Sequence, residues 1–327
     1  MEERTLERLK QLQALPLERK VGFTIARLTE FYHHFDGKVY VSFSGGKDST
    51  VLLYIARKLF PDIKAVFVDT GLEYPEIRDF VKTWDNVDWI KPQKSFYQVI
   101  KEYGYPVISK EISQSVWESR KGMKSGLKRL GIIESNKNKL YVFPKYAYLV
   151  KDAPFKMSHL CCSIMKKNPA KQYEKKNNVY PIIANMAEES LLRRQSWIRF
   201  GCNAFESKRP KSNPMSFWTE QDVLRYIQVM DIPIAKVYGK IATICNGGCD
   251  QLITTGEKRT GCMFCMFGVH LEKCPNKFQR MYYTHPKQWE YCINKLNLKQ
   301  VLDYFHIPYE PVEEQPYLFD INEEDNA

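Results

Sequence analysis

The sequence predicts an α/β fold built on a doubly wound parallel sheet, followed by a cysteine-rich C-terminal segment. Three observations carry that prediction. Short apolar runs of strand character alternate with helix-spaced apolar residues between Lys38 and Ile90. A glycine pair followed by lysine, Gly45-Gly46-Lys47, stands at the first strand-to-helix junction. Beyond Tyr238, glycines, cysteines and threonines replace the apolar alternation. Strands alternating with helices imply parallel pairing through right-handed crossovers.

Taken in order, the apolar residues from Leu6 to Phe35, among them Ile25, Leu28 and Tyr32, recur at helical spacing until Asp36-Gly37 ends the run. Lys38 to Phe43 reads as a buried strand, and Asp48 to Phe60, with Val51, Leu52, Leu53, Ile55 and Leu59, as a helix stopped by Pro61. A strand from Ile63 to Val68, a helix from Pro75 to Trp84 and a strand from Val87 to Ile90 continue the alternation. The lysine-rich stretch from Lys110 to Lys151 has no clean period and is expected to form helices and a loop over the sheet edge. Val179 to Ala184 reads as a further strand and Asp222 to Met230 as a helix. The expected organisation is a helical lead (1–35), a central α/β domain (36–238) and a cysteine-rich metal-binding and helical segment (239–327).

With 327 residues, 44% of them hydrophobic and 13% aromatic, the chain can bury a large core. No apolar run approaches the ~18 residues of a membrane span. The start, Met1-Glu2-Glu3-Arg4, lacks a basic patch followed by an apolar segment, so a soluble cytoplasmic protein is expected. Of nine cysteines, five crowd between Cys245 and Cys274, which suits metal or redox chemistry better than a disulfide framework in a reducing compartment. A formal charge of +11 favours an anionic partner, either nucleic acid or a nucleotide held on an otherwise solvated basic surface.

Ser44-Gly45-Gly46-Lys47-Asp48-Ser49 lies between the first expected strand and its helix. Paired glycines let the backbone approach an anion there, and the helix N-terminus adds positive potential. Ser44 and Ser49 can donate to phosphate oxygens, Lys47 can neutralise their charge, and Asp48 can hold a magnesium ion. A plain Gly-Gly turn would explain the glycines alone, but strand, loop and helix occur here in the order a phosphate seat requires. The pattern is neither Gly-x-x-x-x-Gly-Lys-Ser/Thr nor Gly-x-Gly-x-x-Gly.

These six residues match the PP-loop of the ATP pyrophosphatases, which adenylate a substrate and release pyrophosphate. With Phe67-Val68-Asp69-Thr70-Gly71-Leu72-Glu73-Tyr74-Pro75-Glu76, the chain resembles the phosphoadenosine phosphosulfate (PAPS) reductase family of the adenine nucleotide alpha hydrolase-like superfamily. The likeness continues through Cys161 to Pro169, Glu188-Glu189-Ser190 with Arg193 and Arg194, and Pro214, Trp218, Asp222-Val223 and Tyr226. It implies ATP and Mg2+ as cofactors. It also implies that Asp69, Thr70, Gly71 and Glu73 line base and ribose, and that Lys166, Lys167, Arg193 and Arg194 face phosphate or sulfate. Lys47, Asp48, Arg193 and Arg194 form the expected catalytic set.

Reductases of that family end in a catalytic cysteine within a Glu-Cys-Gly-x-His tail. Here the last cysteine is Cys292, in Tyr291-Cys292-Ile293, and Tyr309 to Ala327 contains none. ATP-dependent activation for sulfur transfer is therefore the expected activity, with a sulfur- or thiol-donor protein as partner. A reductase using an external thiol and a non-catalytic nucleotide or nucleic-acid binding module are the alternatives.

Cys262-Met263-Phe264-Cys265, flanked by glycines, can grip a metal centre from a tight turn. Adenylylsulfate reductases hold a [4Fe-4S] cluster with a Cys-Cys pair and a distant Cys-x-x-Cys, so the resemblance implies Cys161, Cys162, Cys262 and Cys265 as ligands. The rival set, Cys245 and Cys249 with Cys262 and Cys265, has zinc-ribbon spacing, with Cys274 able to replace one ligand. Cys202 and Cys292 read as core residues. After Phe267, Lys273, Lys277, Arg280, Tyr282, Tyr283, Lys287 and Trp289 mix bases with aromatics, as a helix covering the metal segment or a single-strand-binding surface would.

Overall fold

The computed structural model describes residues 4–134, 142–246 and 249–312. The chain divides into two compact units, one of residues 1–92 and 168–261, the other of 93–167 and 262–327.

In the first unit, α1 (Leu6–Gln13) starts at Thr5, whose side chain accepts from the Arg8 amide, and α2 (Leu17–His34) follows Pro16. Asp36 and Gly37, with φ of +50° and +72°, turn the chain out of α2 as their sequence suggests. It then enters β1 (Val39–Ser42), α3 (Lys47–Leu59), β2 (Lys64–Val68), α4 (Pro75–Lys82) and β3 (Val87–Ile90). After residues 93–167 the unit resumes with α5 (Asn168–Asn177), β4 (Tyr180–Ile182), α6 (Leu191–Phe200), β5 (Asn203–Ala204), β6 (Lys211–Ser212) and α7 (Glu220–Val229). The hairpin β7 (Ile241–Asn246) and β8 (Cys249–Thr254) forms its own two-stranded sheet.

The six-stranded sheet runs β3-β2-β1-β4-β6-β5. Every neighbouring pair is parallel except β5 with β6. β1 sits centrally, with Val41 opposite Ala65 on one side and Ile182 on the other. Val51, Leu52, Leu53 and Ala56 of α3 are fully buried, as a helix packed on such a sheet requires. Strand order reverses beside β1, so the carboxyl end of β1 is a topological switch point, where open α/β sheets bind ligands.

The segment-by-segment organisation expected from sequence differs from the compact units. Residues 93–167 group with 262–327, whereas residues through Gly261, expected in an appended segment, belong with the sheet. The lysine-rich stretch is helical at Lys110–Arg120, Lys124–Arg129 and Leu149–Asp152; residues 135–141 of it lie outside the described residues. The helices Lys110–Arg120 and Lys124–Arg129 pack tightly because a Cβ at Gly126 would lie 2.6 Å from the Ser115 carbonyl. The Arg120 guanidinium donates to the carbonyls of Leu149, Val150, Ala153 and Phe155, which ties down the stretch that follows. Also in this unit, Val107–Ile108 pairs in parallel with Met266–Phe267. Among the described residues, no helix is long and apolar enough to cross a membrane.

Candidate functional site

The candidate site of the first unit is built where β1 hands over to α3. Gly45 has φ +70°, and a Cβ there would lie 2.8 Å from the Cγ2 atoms of Ile77 and Val81 on α4, so the loop needs glycine both to turn and to close. Its own hydroxyls shape the rest. The Ser44 amide donates to Ser49 Oγ at 3.2 Å, the Gly46 amide to Ser44 Oγ at 3.3 Å, and the Ser49 hydroxyl to the Gly46 carbonyl at 2.9 Å. Gly46 caps α3 without a side chain, leaving the first-turn amides of Lys47, Asp48 and Ser49 without intrahelical acceptors. That is the local geometry of an anion seat.

Lys47 is buried at 4% exposure, and its ammonium donates to the Lys258 carbonyl at 2.9 Å and pairs with Glu220 at 3.2 Å. Its amide donates to the Tyr238 hydroxyl at 3.2 Å, which in turn lies 2.6 Å from Thr260 Oγ1. Glu220 also reaches Lys258 at 3.4 Å. Burial would push the Glu220 carboxyl up, but Lys47 and Lys258 outweigh it and hold it below the ordinary range. Burial drives the Tyr238 phenol up to about 12, so it stays protonated.

Asp48 is different. Its Oδ1 is buried without a hydrogen-bond partner among the described residues. Burial pushes its pKa above the ordinary carboxylate value, Glu220 adds to that, and Lys47, Arg259 and Arg193 offset it only in part. An orphaned carboxylate oxygen at a phosphate loop fits a magnesium ligand, because Mg2+ needs only one or two carboxylates when substrate phosphates supply the rest. Arg193 pairs with Glu189, and Arg259 approaches Glu189 at 3.9 Å. The Arg193 guanidinium is depressed, first by burial and then by Arg259. Arg194, half-buried on the same helix, donates its amide to the Ser190 carbonyl.

At the end of β2 the expected base- and ribose-lining residues spend their side chains on their own turn. Asp69 accepts from the Gly71 amide at 3.2 Å and pairs with Arg78 at 2.9 Å. Glu73 accepts from the Thr70 amide at 3.0 Å and from its hydroxyl at 2.8 Å. Gly71, at φ +73°, faces open space. Sequence reasoning missed Glu220, Tyr238, Lys258, Arg259 and Thr260. One signal was there: two adjacent basic residues, Lys258 and Arg259, in a glycine- and threonine-rich stretch just ahead of Cys262.

Residues 38–137 and 118–266 match the phosphoadenosine phosphosulfate reductase domain. The chain belongs to that family. Two uncharacterized proteins of Methanocaldococcus jannaschii are similar to it. MJ0973 is 25% identical over 258 residues, covering 78% of this chain and 48% of that protein. MJ0066 is 28% identical over 263 residues, covering 79% and 41%. The chain thus spans less than half the length of either relative. A crystal structure of PAPS reductase from Candida auris in a phosphate complex aligns with 75% of this chain and 97% of its own, at 16% identity and a TM-score of 0.38.

The second unit of this PAPS reductase-family chain contains all four expected ligands. Cys161 and Cys162 share a thiol hydrogen bond, and Cys262 and Cys265 act electrostatically on Cys161. That hydrogen bond, helped by Lys110, Lys166 and Lys167, lowers Cys162 to about 6, while Cys161 is pushed up. Lys166 and Lys167, on the π-helix Ser163–Lys167, thus favour the ionised form of Cys162. Four thiols in one unit suit an iron–sulfur or zinc centre in donor chemistry. Among the described residues, however, no three His, Cys, Asp or Glu side chains converge in ligating geometry, and the Cys161–Cys162 contact turns two thiols toward each other. Of the rival set, Cys245 is exposed on β7, and the side chain of Cys249 lies outside the described residues.

The basic and aromatic residues after Phe267 largely serve their own unit. The Lys277 ammonium donates to the Cys262 carbonyl at 3.4 Å, the Tyr283 hydroxyl to the Val312 carbonyl at 2.7 Å, and the Trp289 indole to the Tyr309 carbonyl at 3.1 Å. Tyr282 packs edge-on to Trp289.

Proposed function

We propose that this chain is an ATP pyrophosphatase that adenylates an acceptor, a nucleic acid or a small oxyanion, in support of sulfur transfer. The observation that carries the reading is the Asp48 Oδ1 atom, buried without a hydrogen-bond partner among the described residues, beside the buried Lys47 in the loop at the sheet's switch point. An acceptor oxygen attacks the α-phosphorus, the bond from that phosphorus to the oxygen bridging the β-phosphorus breaks, and pyrophosphate leaves with the negative charge. A sulfur nucleophile delivered by the donor protein then displaces AMP. No protein nucleophile is needed; alignment of the phosphates and neutralisation of the departing charge supply the acceleration. Lys47 and Arg193 provide that charge, and Asp48 would hold Mg2+, which would supply further neutralisation of the phosphate charge.

Cys292 does not stand in for the tail cysteine of a reductase. Cys292 is fully buried, and burial raises its thiol to about 12, so it is no attacking thiolate. In the parent protein Mg·ATP should bind and release pyrophosphate when acceptor is supplied. Lys47→Ala is expected to lower that release by about 10²–10³-fold, the usual cost of one charge-stabilising donor. Direct binding titration and pyrophosphate assays, with and without added nucleic acid, check this; a parent-like rate for the variant ends the proposal.

Cys161, Cys162, Cys262 and Cys265 would hold a [4Fe-4S] cluster, with zinc as the alternative. When bound, such a cluster supplies iron able to take or give up sulfide. Anaerobically purified protein is expected to be brown, with iron and sulfide in about a cluster's ratio, and Cys265→Ser to be bleached. Colourless protein containing stoichiometric zinc would decide for the alternative.

A further inference from the structure

The phosphate seat is already engaged by a later part of its own unit. Residues 237–240 and 255–261 run together: the Gly256 amide donates to the Tyr238 carbonyl at 2.8 Å, the Glu257 amide to the Val237 carbonyl at 2.9 Å, and the Lys240 amide to Thr255 Oγ1 at 2.9 Å. Both stretches need glycine at the contact. A Cβ at Gly239 would lie 2.3 Å from Thr255 Oγ1, and one at Gly256 2.3 Å from the Val237 carbonyl. The result is a two-stretch strap.

The strap meets the loop at the atoms a phosphate would use. The Tyr238 hydroxyl accepts from the Lys47 amide, and the Lys258 carbonyl accepts from the Lys47 ammonium. A phosphate oxygen accepts from the same two kinds of donor, a helix N-terminal amide and a lysine. A Cβ on Gly46, the loop's bare face, would lie 3.3 Å from the Tyr238 hydroxyl and 3.5 Å from Thr260 Oγ1, so the strap lies against the surface that glycine keeps open. Charge sits beside these contacts: Lys258 pairs with Glu220, and Arg259 is near enough to Asp48 to pull on its ionisation.

We propose that the strap is a displaceable wall of the nucleotide site. The Tyr238 hydroxyl and Lys258 carbonyl hold the places of two phosphate oxygens, and the Lys258 and Arg259 side chains become counter-charges to the phosphates that replace them. The proposal rests on the ATP reading above and deepens it, because it assigns phosphate-binding roles to residues about 200 positions from the loop. Each phosphate that enters must first break the strap's contacts, so removing one contact favours the ligand.

Calorimetric titration of the full chain with Mg·pyrophosphate and with Mg·ATP tests it. Tyr238→Phe keeps the ring that lies 5.5 Å from the Lys47 ammonium but loses the competing hydroxyl, and is expected to bind pyrophosphate about 3–10-fold more tightly, the net worth of one hydrogen bond. Lys258→Ala with Arg259→Ala is expected to weaken binding by about 10-fold or more and to flatten its salt dependence. Should Tyr238→Phe fail to fold, Thr260→Val, which removes the hydroxyl's partner at 2.6 Å, carries the same expectation of tighter binding. A parent that binds both ligands while Tyr238→Phe binds them equally or more weakly overturns the strap alone. A parent that binds neither overturns the ATP reading along with it.

Discussion

A protein carrying Asp48→Asn is expected to melt above the parent and, by the same change, to lose magnesium-dependent handling of ATP. The folded protein raises the Asp48 pKa above the ordinary carboxylate value, chiefly through burial. Folding therefore favours the protonated form, and ionising the group in place costs free energy that the unfolded chain does not bear. The parent's stability from this residue falls as pH rises from the ordinary carboxylate pKa through the raised one, and stays lower above it. Asparagine never ionises, so the gap between variant and parent should open with rising pH and close in acid. The gap should be widest at neutral pH and above, and it reads as a higher melting temperature of the variant. Magnesium should raise the melting temperature of the parent in the presence of ATP but not that of the variant, because a ligand stabilises only the state that binds it. Nucleotide turnover should fall by about 10²–10³-fold. Melting curves across pH, with and without Mg·ATP, read both effects. A variant that melts at or below the parent at neutral pH would mean that protein atoms already satisfy the carboxylate, leaving no vacancy for a cation.

The strands and helices around the loop were readable because their signals are local. Apolar runs bounded by Asp36-Gly37 and Pro61 delimit β1 and α3 to within a residue or two, and Val87 to Ile90 is β3 as read. The Ser44 to Ser49 loop was readable for the same reason, since glycine conformation, hydroxyl bonds and helix start are decided by neighbours in the chain. What periodicity does not encode is the excursion of residues 93–167 into a separate unit with 262–327, because that grouping depends on contacts between distant segments. The contacts on Lys47 were hidden likewise: Tyr238 and Lys258 meet it across separations of 191 and 211 positions.

Resemblance also carried residues whose work is structural. Trp218 is fully buried and donates its indole to Thr24 at 2.9 Å, while Thr24 donates to the Pro214 carbonyl at 3.3 Å. Asp222 accepts from the amide and hydroxyl of Thr219 to cap α7. A motif can thus identify a family through the residues that place its site, with chemistry left to others. In the Asp69 to Glu73 segment, the side chains of Asp69, Thr70 and Glu73 fix the turn, and Gly71 faces open space.

The largest stability loss is expected from Lys20→Met. Lys20 is 2% exposed and its ammonium lies 2.6 Å from Asp222 Oδ2, joining α2 to the start of α7. Methionine keeps the side-chain length but leaves the Asp222 carboxylate, 13% exposed, beside an apolar group, and breaking a buried ion pair from one side costs about 3–5 kcal/mol. Breaking the exposed Arg27–Glu30 pair, whose side chains are 47% and 45% exposed, should cost less than about 0.5 kcal/mol and serves as the control. Adding Asp222→Asn to the Lys20 variant should recover much of the loss, since asparagine removes the stranded charge and its side-chain oxygen can still cap α7. The consequence reaches the site, because α7 begins at Glu220, the carboxylate held against Lys47 at 3.2 Å. An α7 start released from α2 no longer fixes that carboxylate. The Lys20 variant should therefore bind Mg·ATP differently from the parent even at temperatures where it remains folded, and denaturant melts paired with ATP titrations measure both. A loss below about 1 kcal/mol with unaltered ATP affinity would show that the pair neither anchors the helix nor positions Glu220.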